Sequence, residues 1–182
     1  MNTEHRYPVH FQLNGEQKTV TVSSEQTLLD LLRQDLHAWE VKEGCGQGDC
    51  GACTVLIDGE ARLACLMLAV QAEQSAITTV CGLGDEAHLH PLQQAFIEHG
   101  AAQCGFCTPG ILLSAQALLA TNPHPTRTQI RTALAGNLCR CTGYQAIVDA
   151  IEAASGQVCS QSVIANERIT CISTQVTRRE EA

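Results

Sequence analysis

The chain has 182 residues, 45% of them apolar, and 11 basic against 19 acidic side chains give it a formal net charge of −8. That length suits one or two small domains, and the apolar share is that of a chain that folds, so disorder is not expected. The acidic balance, with no Lys/Arg cluster able to track phosphates, argues against nucleic acid as a partner.

Residues 1–20 mix His5, Arg6, Pro8, Gln12 and Lys18 among their apolar positions, so they do not form the apolar segment of a signal peptide. The Arg178-Arg179 pair lies at the wrong end for a twin-arginine signal. With no apolar run able to span a bilayer, the expectation is a cytoplasmic chain without membrane contact. Eleven cysteines are an odd number and too few for a disulfide scaffold. Two domains of this size would each bury only about 60% of their unfolded surface, so a metal staple in each would help.

Val9, Phe11 and Leu13 alternate with polar residues, Asn14-Gly15 is a hairpin turn, and Val20 and Val22 continue a second alternating run. Ser23 and Ser24 then offer N-caps to a helix whose apolar face is Leu28, Leu29, Leu31, Leu32 and Leu36. Residues 44–51 are too rich in glycine for a regular element. Residues 54–57 with Asp58-Gly59 predict a strand and turn, 65–71 a short helical stretch, and 77–80 a closing strand. After Gly82-Leu83-Gly84 the pattern turns helical, over 91–99, 109–121, 126–135 and 144–154. Pro91 suits a first helical turn, and Thr126 with Gln129 makes a capping-box pattern. The expected fold class is α+β: a β-rich domain over 1–82, an all-α domain over 83–154, and a tail over 155–182 for which no fold is expected.

Cys45, Cys50 and Cys53 form C-x4-C-x2-C, the plant-type [2Fe-2S] spacing. A binuclear cluster needs two thiolates on each iron, and three cysteines this close supply them only if the loop curls around the inorganic core. Gly44, Gly46, Gly48 and Gly51 permit that curl and let backbone N–H groups point at sulfur. Cys65 and Cys81 both lie downstream as candidates for the fourth ligand. Cys65 is preferred because it follows the strand and turn and folds back on the loop, leaving Cys81 as a small buried hydrophobe. The overlapping Gly46-Gln47-Gly48-Asp49-Cys50-Gly51 matches a dinucleotide fingerprint, but no helix follows it, so that reading fails.

A second set is Cys104-Gly105-Phe106-Cys107 with Cys139-Arg140-Cys141, each pair in a break between helices. Two helical hairpins meeting end to end would bring these four thiols together, buried among Phe106, Ile111, Leu112, Leu134 and Leu138. Zinc is the competing reading for both sets, and C-x-C argues against it. Thioredoxin-like chemistry needs only one C-x-x-C and leaves the other cysteines unexplained. His88-Leu89-His90 lacks carboxylate or cysteine support and reads as an exposed linker, Cys159 and Cys171 as incidental thiols, and Trp39 as core packing. No Ser-His-Asp or paired-carboxylate arrangement marks a catalytic residue.

Over residues 9–154 the chain resembles the iron-sulfur subunit of the xanthine dehydrogenase family of molybdenum hydroxylases. The resemblance is carried by Val41-Lys42-Glu43-Gly44-Cys45, Gly48-Asp49-Cys50-Gly51-Ala52-Cys53-Thr54-Val55, Gln103-Cys104-Gly105-Phe106-Cys107-Thr108-Pro109-Gly110 and Gly136-Asn137-Leu138-Cys139-Arg140-Cys141-Thr142-Gly143-Tyr144. It implies a β-grasp, plant-type ferredoxin-like domain followed by a four-helix domain, and supports Cys65 over Cys81. It further implies electron passage from a molybdenum-pterin subunit, through the helical-domain cluster and then the ferredoxin-like one, to a flavin subunit carrying FAD. By the same resemblance Gln103 and Cys139 contact the pterin, and the assembly is a heterotrimer or its dimer. This chain is too short for a molybdenum domain and shows no FAD fingerprint, so those partners are expected as separate chains. A free-standing two-cluster ferredoxin is the alternative. The substrate pocket belongs to another chain, so purines, nicotinate-like heterocycles, aldehydes, CO and aromatic thioesters all stay open, with a lean by resemblance toward purines and other N-heterocycles.

Overall fold

A computed structural model describes residues 6–156. Strands β1 (Arg6–Leu13) and β2 (Glu16–Ser23) form the expected hairpin, pairing Leu13 with Glu16 across a turn in which Asn14 and Gly15 both take positive φ. The helix that follows begins later than expected. Thr27, not Ser23 or Ser24, is the N-cap of α1 (Leu28–Asp30), its hydroxyl oxygen accepting from the Asp30 N–H at 3.1 Å. Ser23 is held instead in the ladder opposite Arg6. The helix then widens into a π turn over Leu31–Asp35, closed by Leu36 N–H to Leu31 O at 3.1 Å.

Strand β3 (Thr54–Ile57) pairs with β4 (Glu60–Leu63), an exposed strand without apolar alternation that the sequence pattern does not reveal. The expected helical stretch over 65–71 is two single 3-10 turns, Ala64–Leu66 and Ala69–Ala72. Between them Leu68 bridges Thr27, which keeps that segment extended. Strand β5 (Ala76–Thr78) runs parallel to β1 and antiparallel to β3, giving the mixed sheet order β2-β1-β5-β3-β4.

Among the described residues four α-helices follow: α2 (Pro91–Glu98), α3 (Thr108–Thr121), α4 (Arg127–Ala133) and α5 (Gln145–Ala154). The Thr126/Gln129 capping box forms at the start of α4. At α2 the cap is His90, whose Nδ1 accepts from Leu92 N–H, while His88 is exposed and held against Asp85. Tyr144, read as helical, sits just outside α5 in the left-handed region. The tail from residue 157, with Cys159 and Cys171, lies outside the described residues.

Two hydrophobic cores result. One gathers Val9, Phe11, Val22, Leu28, Leu31 and Ile77 with their neighbours, and the other Leu92, Phe96, Ile111, Leu119, Ile130 and Ile147 with theirs. Between them lies a seam where α3 crosses β3 and β4. Every residue of β3 is buried: Val55 and Ile57 face the first core, whereas Leu56 joins neither, like Leu113 on α3. A buried leucine is worth about 1.5–3 kcal/mol, so these two alone give the seam real cohesion.

Candidate metal centres

The first set of thiols is built by a loop and a hairpin. Arg33 donates from Nη1 to the Val41 carbonyl at 2.7 Å, tying the loop's entry to the π turn, and Lys42 donates from Nζ to the Trp39 carbonyl at 2.8 Å within that entry. Gly44 has no space for a side chain, because a Cβ there would stand 2.9 Å from Cys50 Sγ. The sulfurs of Cys45 and Cys50 associate directly. Backbone N–H groups of Gln47, Cys50 and Asp49 aim at Cys45 Sγ and, helped by Cys50's side chain, bring its thiol down to about 7. The β3–β4 register sets Thr54 opposite Leu63, so Cys53 before the one and Cys65 after the other come together, with Ala64 N–H donating to the Cys53 carbonyl at 3.2 Å. Both are buried, and that burial, reinforced by the Cys65 sulfur beside it, pushes Cys53 up to about 12.

Cys81 lies elsewhere. It is exposed, not a buried hydrophobe, because the 3-10 turn Val80–Gly82 turns it outward beside Glu40. What burial it has, together with the Glu40 carboxylate, raises its thiol.

The second set stands at the ends of the helices. Cys104 precedes α3, Cys107 is its N-cap residue, and Cys139 and Cys141 occupy the α4–α5 connection. Cys141 Sγ lies 3.7 Å from Cys104 Sγ, and both residues are exposed. Cys107 pairs with Cys139. Burial, then the Cys139 sulfur, pushes Cys107 up to about 12. Burial also works to raise Cys139, but the Thr142 hydroxyl and the backbone N–H groups of Thr142 and Cys141 outweigh it and bring that thiol to about 7. The expected burial among Phe106 and Leu138 does not occur: these are 47% and 58% exposed, because they occupy loops outside the helix faces that close the core. Trp39 is likewise 55% exposed, stacked on His37 and covered by the Arg33 guanidinium. Gln103 is exposed next to Cys104, and its amide makes no hydrogen bond among the described residues.

Eight thiols thus form two quartets, each made of two close pairs. The quartets meet at the seam. Leu138 N–H donates to the Cys50 carbonyl at 2.9 Å, so one hydrogen bond joins a residue of the first quartet to the residue before Cys139. Asn137 locks this contact: its Nδ2 donates to the Gly51 carbonyl at 3.0 Å and to Thr54 Oγ1 at 3.2 Å, while its Oδ1 accepts from Ser114 Oγ at 2.8 Å. The approach is so close that a Cβ on Gly51 would stand 2.2 Å from the Gly136 carbonyl. Nothing in the sequence pattern around Cys139 and Cys141 reveals the partners of Asn137 across the seam.

The donor chemistry fits two binuclear iron-sulfur clusters: four thiols each, grouped two by two as two thiolates per iron require, with N–H or O–H donors at sulfur. Family comparison agrees. A 2Fe-2S iron-sulfur cluster binding domain profile matches residues 11–82, and a [2Fe-2S] binding domain profile matches 79–152. The nicotine 6-hydroxylase small subunit of Paenarthrobacter nicotinovorans is 51% identical over 153 residues, covering 84% of this chain and 92% of that one. The nicotinate dehydrogenase small FeS subunit of Eubacterium barkeri is 50% identical over 136 residues, covering 75% of this chain and 87% of that one. Among solved structures, a chain of quinoline 2-oxidoreductase from Pseudomonas putida 86 superposes with a TM-score of 0.81 at 44% identity, covering 84% of this chain and 96% of that one. With two matched cluster-binding regions and relatives of near-equal length, the chain belongs to the iron-sulfur, electron-transferring subunits of the xanthine dehydrogenase family of molybdenum hydroxylases.

Proposed function

We propose that this chain holds one [2Fe-2S] cluster on Cys45, Cys50, Cys53 and Cys65 in a β-grasp domain, residues 1–82, and another on Cys104, Cys107, Cys139 and Cys141 in a four-helix domain, residues 83–154. Each cluster would supply the capacity to accept and release one electron at a time. The chain's own part is to hold the two quartets at a fixed separation and to exclude water between them. The observation that carries this reading is the seam, where Leu138 N–H meets the Cys50 carbonyl within a buried network of Asn137, Ser114 and Thr54. A zinc site would draw four sulfurs equally around one ion. Here the sulfurs associate in pairs, which suits two thiolates on each of two irons.

The assembly we propose is a cytoplasmic heterotrimer with a molybdenum-pterin subunit and an FAD subunit. Among the described residues no helix is long and apolar enough to cross a membrane, which is compatible with it. The helical quartet, with Cys104 and Cys141 exposed, faces the molybdenum subunit, and Gln103 with Cys139 meets the pterin. The free Gln103 amide offers both donors and an acceptor to a pterin edge. An N-heterocycle is the favoured substrate class, because the relatives at 51% and 50% identity are named for nicotine and nicotinate.

Copurification from the native cell tests this. The reading predicts molybdenum and flavin polypeptides in the same complex and turnover of N-heterocycles ahead of aldehydes. A chain that purifies alone with both clusters would instead be a free-standing ferredoxin. A Gln103→Ala complex should keep both clusters and lose pterin; normal pterin content and turnover would remove that contact.

A further inference from the structure

The loop between α4 and α5 is tied to itself in one direction. Tyr144, at φ 68°, folds its ring back so that its hydroxyl accepts from Cys139 N–H at 2.7 Å and donates to the Asn137 carbonyl at 2.8 Å. Its own N–H goes to Thr142 Oγ1 at 3.3 Å. The Thr142 oxygen is therefore an acceptor on one side and keeps its single proton for the other, where Cys139 Sγ lies 3.1 Å away. A metal-bound thiolate carries no proton, so only the hydroxyl can donate across that contact.

The first quartet has no equivalent side chain. Its Cys45 sulfur is served by backbone N–H groups, and among the described residues no hydroxyl reaches any of its sulfurs.

We propose that the Thr142 hydroxyl sets the reduction potential of the helical-half cluster, and of that cluster only, through its hydrogen bond to Cys139. The proposal rests on the reading of the quartets as cluster ligands. Reduction adds one electron, delivered in the test by dithionite; no bond is made or broken and no proton is taken up. The added negative charge spreads onto the sulfurs, so a donor aimed at one of them stabilises the reduced form more than the oxidised. Cys139 is half-buried, which limits screening of that effect by water. Removing the donor must lower the potential.

The test is an EPR-monitored redox titration of the assembled complex with Thr142→Val and Thr142→Ser. Thr142→Val should lower the reduction equilibrium constant of the helical cluster about tenfold, a drop of ~59 mV for one electron. Thr142→Ser should restore it, and the Cys45-side cluster should not move in either. An unchanged potential in Thr142→Val, or an equal shift of both clusters, overturns the proposal. So does loss of the helical cluster's iron from both Thr142→Val and Thr142→Ala, because the hydroxyl would then be structural. Absence of iron from the unaltered protein would sink the cluster reading itself, a separate result.

Discussion

The two thiol quartets are assembled by different physics. The first is enclosed by a glycine-rich loop and a strand hairpin, with Cys53 and Cys65 buried beneath it and backbone N–H groups serving the Cys45 sulfur. The second hangs at helix ends, with Cys104 and Cys141 exposed and side-chain hydroxyls from Thr142 and Tyr144 ordering the loop. Backbone donors reach sulfur in both quartets, but among the described residues only the helical one adds a side-chain hydroxyl, a donor that a single substitution removes. In the proposed assembly the helical quartet, with Cys104 and Cys141 exposed, is the one that meets another subunit's cofactor.

The sharpest way to break this comparison is to delete one quartet and ask whether the other survives. Cys104→Ala should cost about half the iron and abolish reduction of the flavin partner by substrate, while the Cys45-side EPR signal remains. Unchanged electron flow would contradict the proposed route. Next in size is the joint between the halves. Gly51→Ala forces a side chain at φ +69° into the Gly136 carbonyl and should destabilise the protein by about 2–5 kcal/mol, read from denaturant midpoints. Asn137→Ala should cost about 1–3 kcal/mol by the same measurement, because it leaves the buried Ser114 hydroxyl without its acceptor and removes one of the donors to the Gly51 carbonyl, which keeps Thr54. A loss below about 0.5 kcal/mol would mean that the seam does not depend on Asn137.

The smallest expected effect concerns Arg127, which bridges Asp149 at 2.6 Å and also Glu152 on α5. The Arg127 guanidinium holds the Asp149 carboxyl below its usual range against a slight opposing effect of burial, with Gln145 helping. A depressed carboxyl stabilises the fold above the unfolded pKa of about 3.9 and loses that contribution as pH falls through the folded value. Asp149→Asn should therefore lower Tm slightly at neutral pH, and the difference from wild type should close in acid. A gap that persists at low pH would mean that the asparagine acts by some route other than charge.

Much of the fold and the cysteine sets was legible because each rests on local rules. Turn chemistry at Asn14-Gly15, the Thr126/Gln129 box and the spacing of Cys45, Cys50 and Cys53 all act within a few residues. What escaped depends on distant partners or on the direction a loop residue faces. Asn137 reads as a flanking polar residue until Gly51 and Thr54 meet it across 86 and 83 positions of sequence. Trp39, Phe106 and Leu138 read as core because apolar character alone cannot say that a loop turns them outward. Cys81 reads as buried for the same reason, and β4 leaves no mark in the sequence because an exposed edge strand needs no apolar alternation.

Iron and acid-labile sulfide analysis of anaerobically purified protein tests the central claim most directly. Two binuclear centres predict about four irons and about four sulfides per chain. About two zinc ions per chain and no labile sulfide would contradict it.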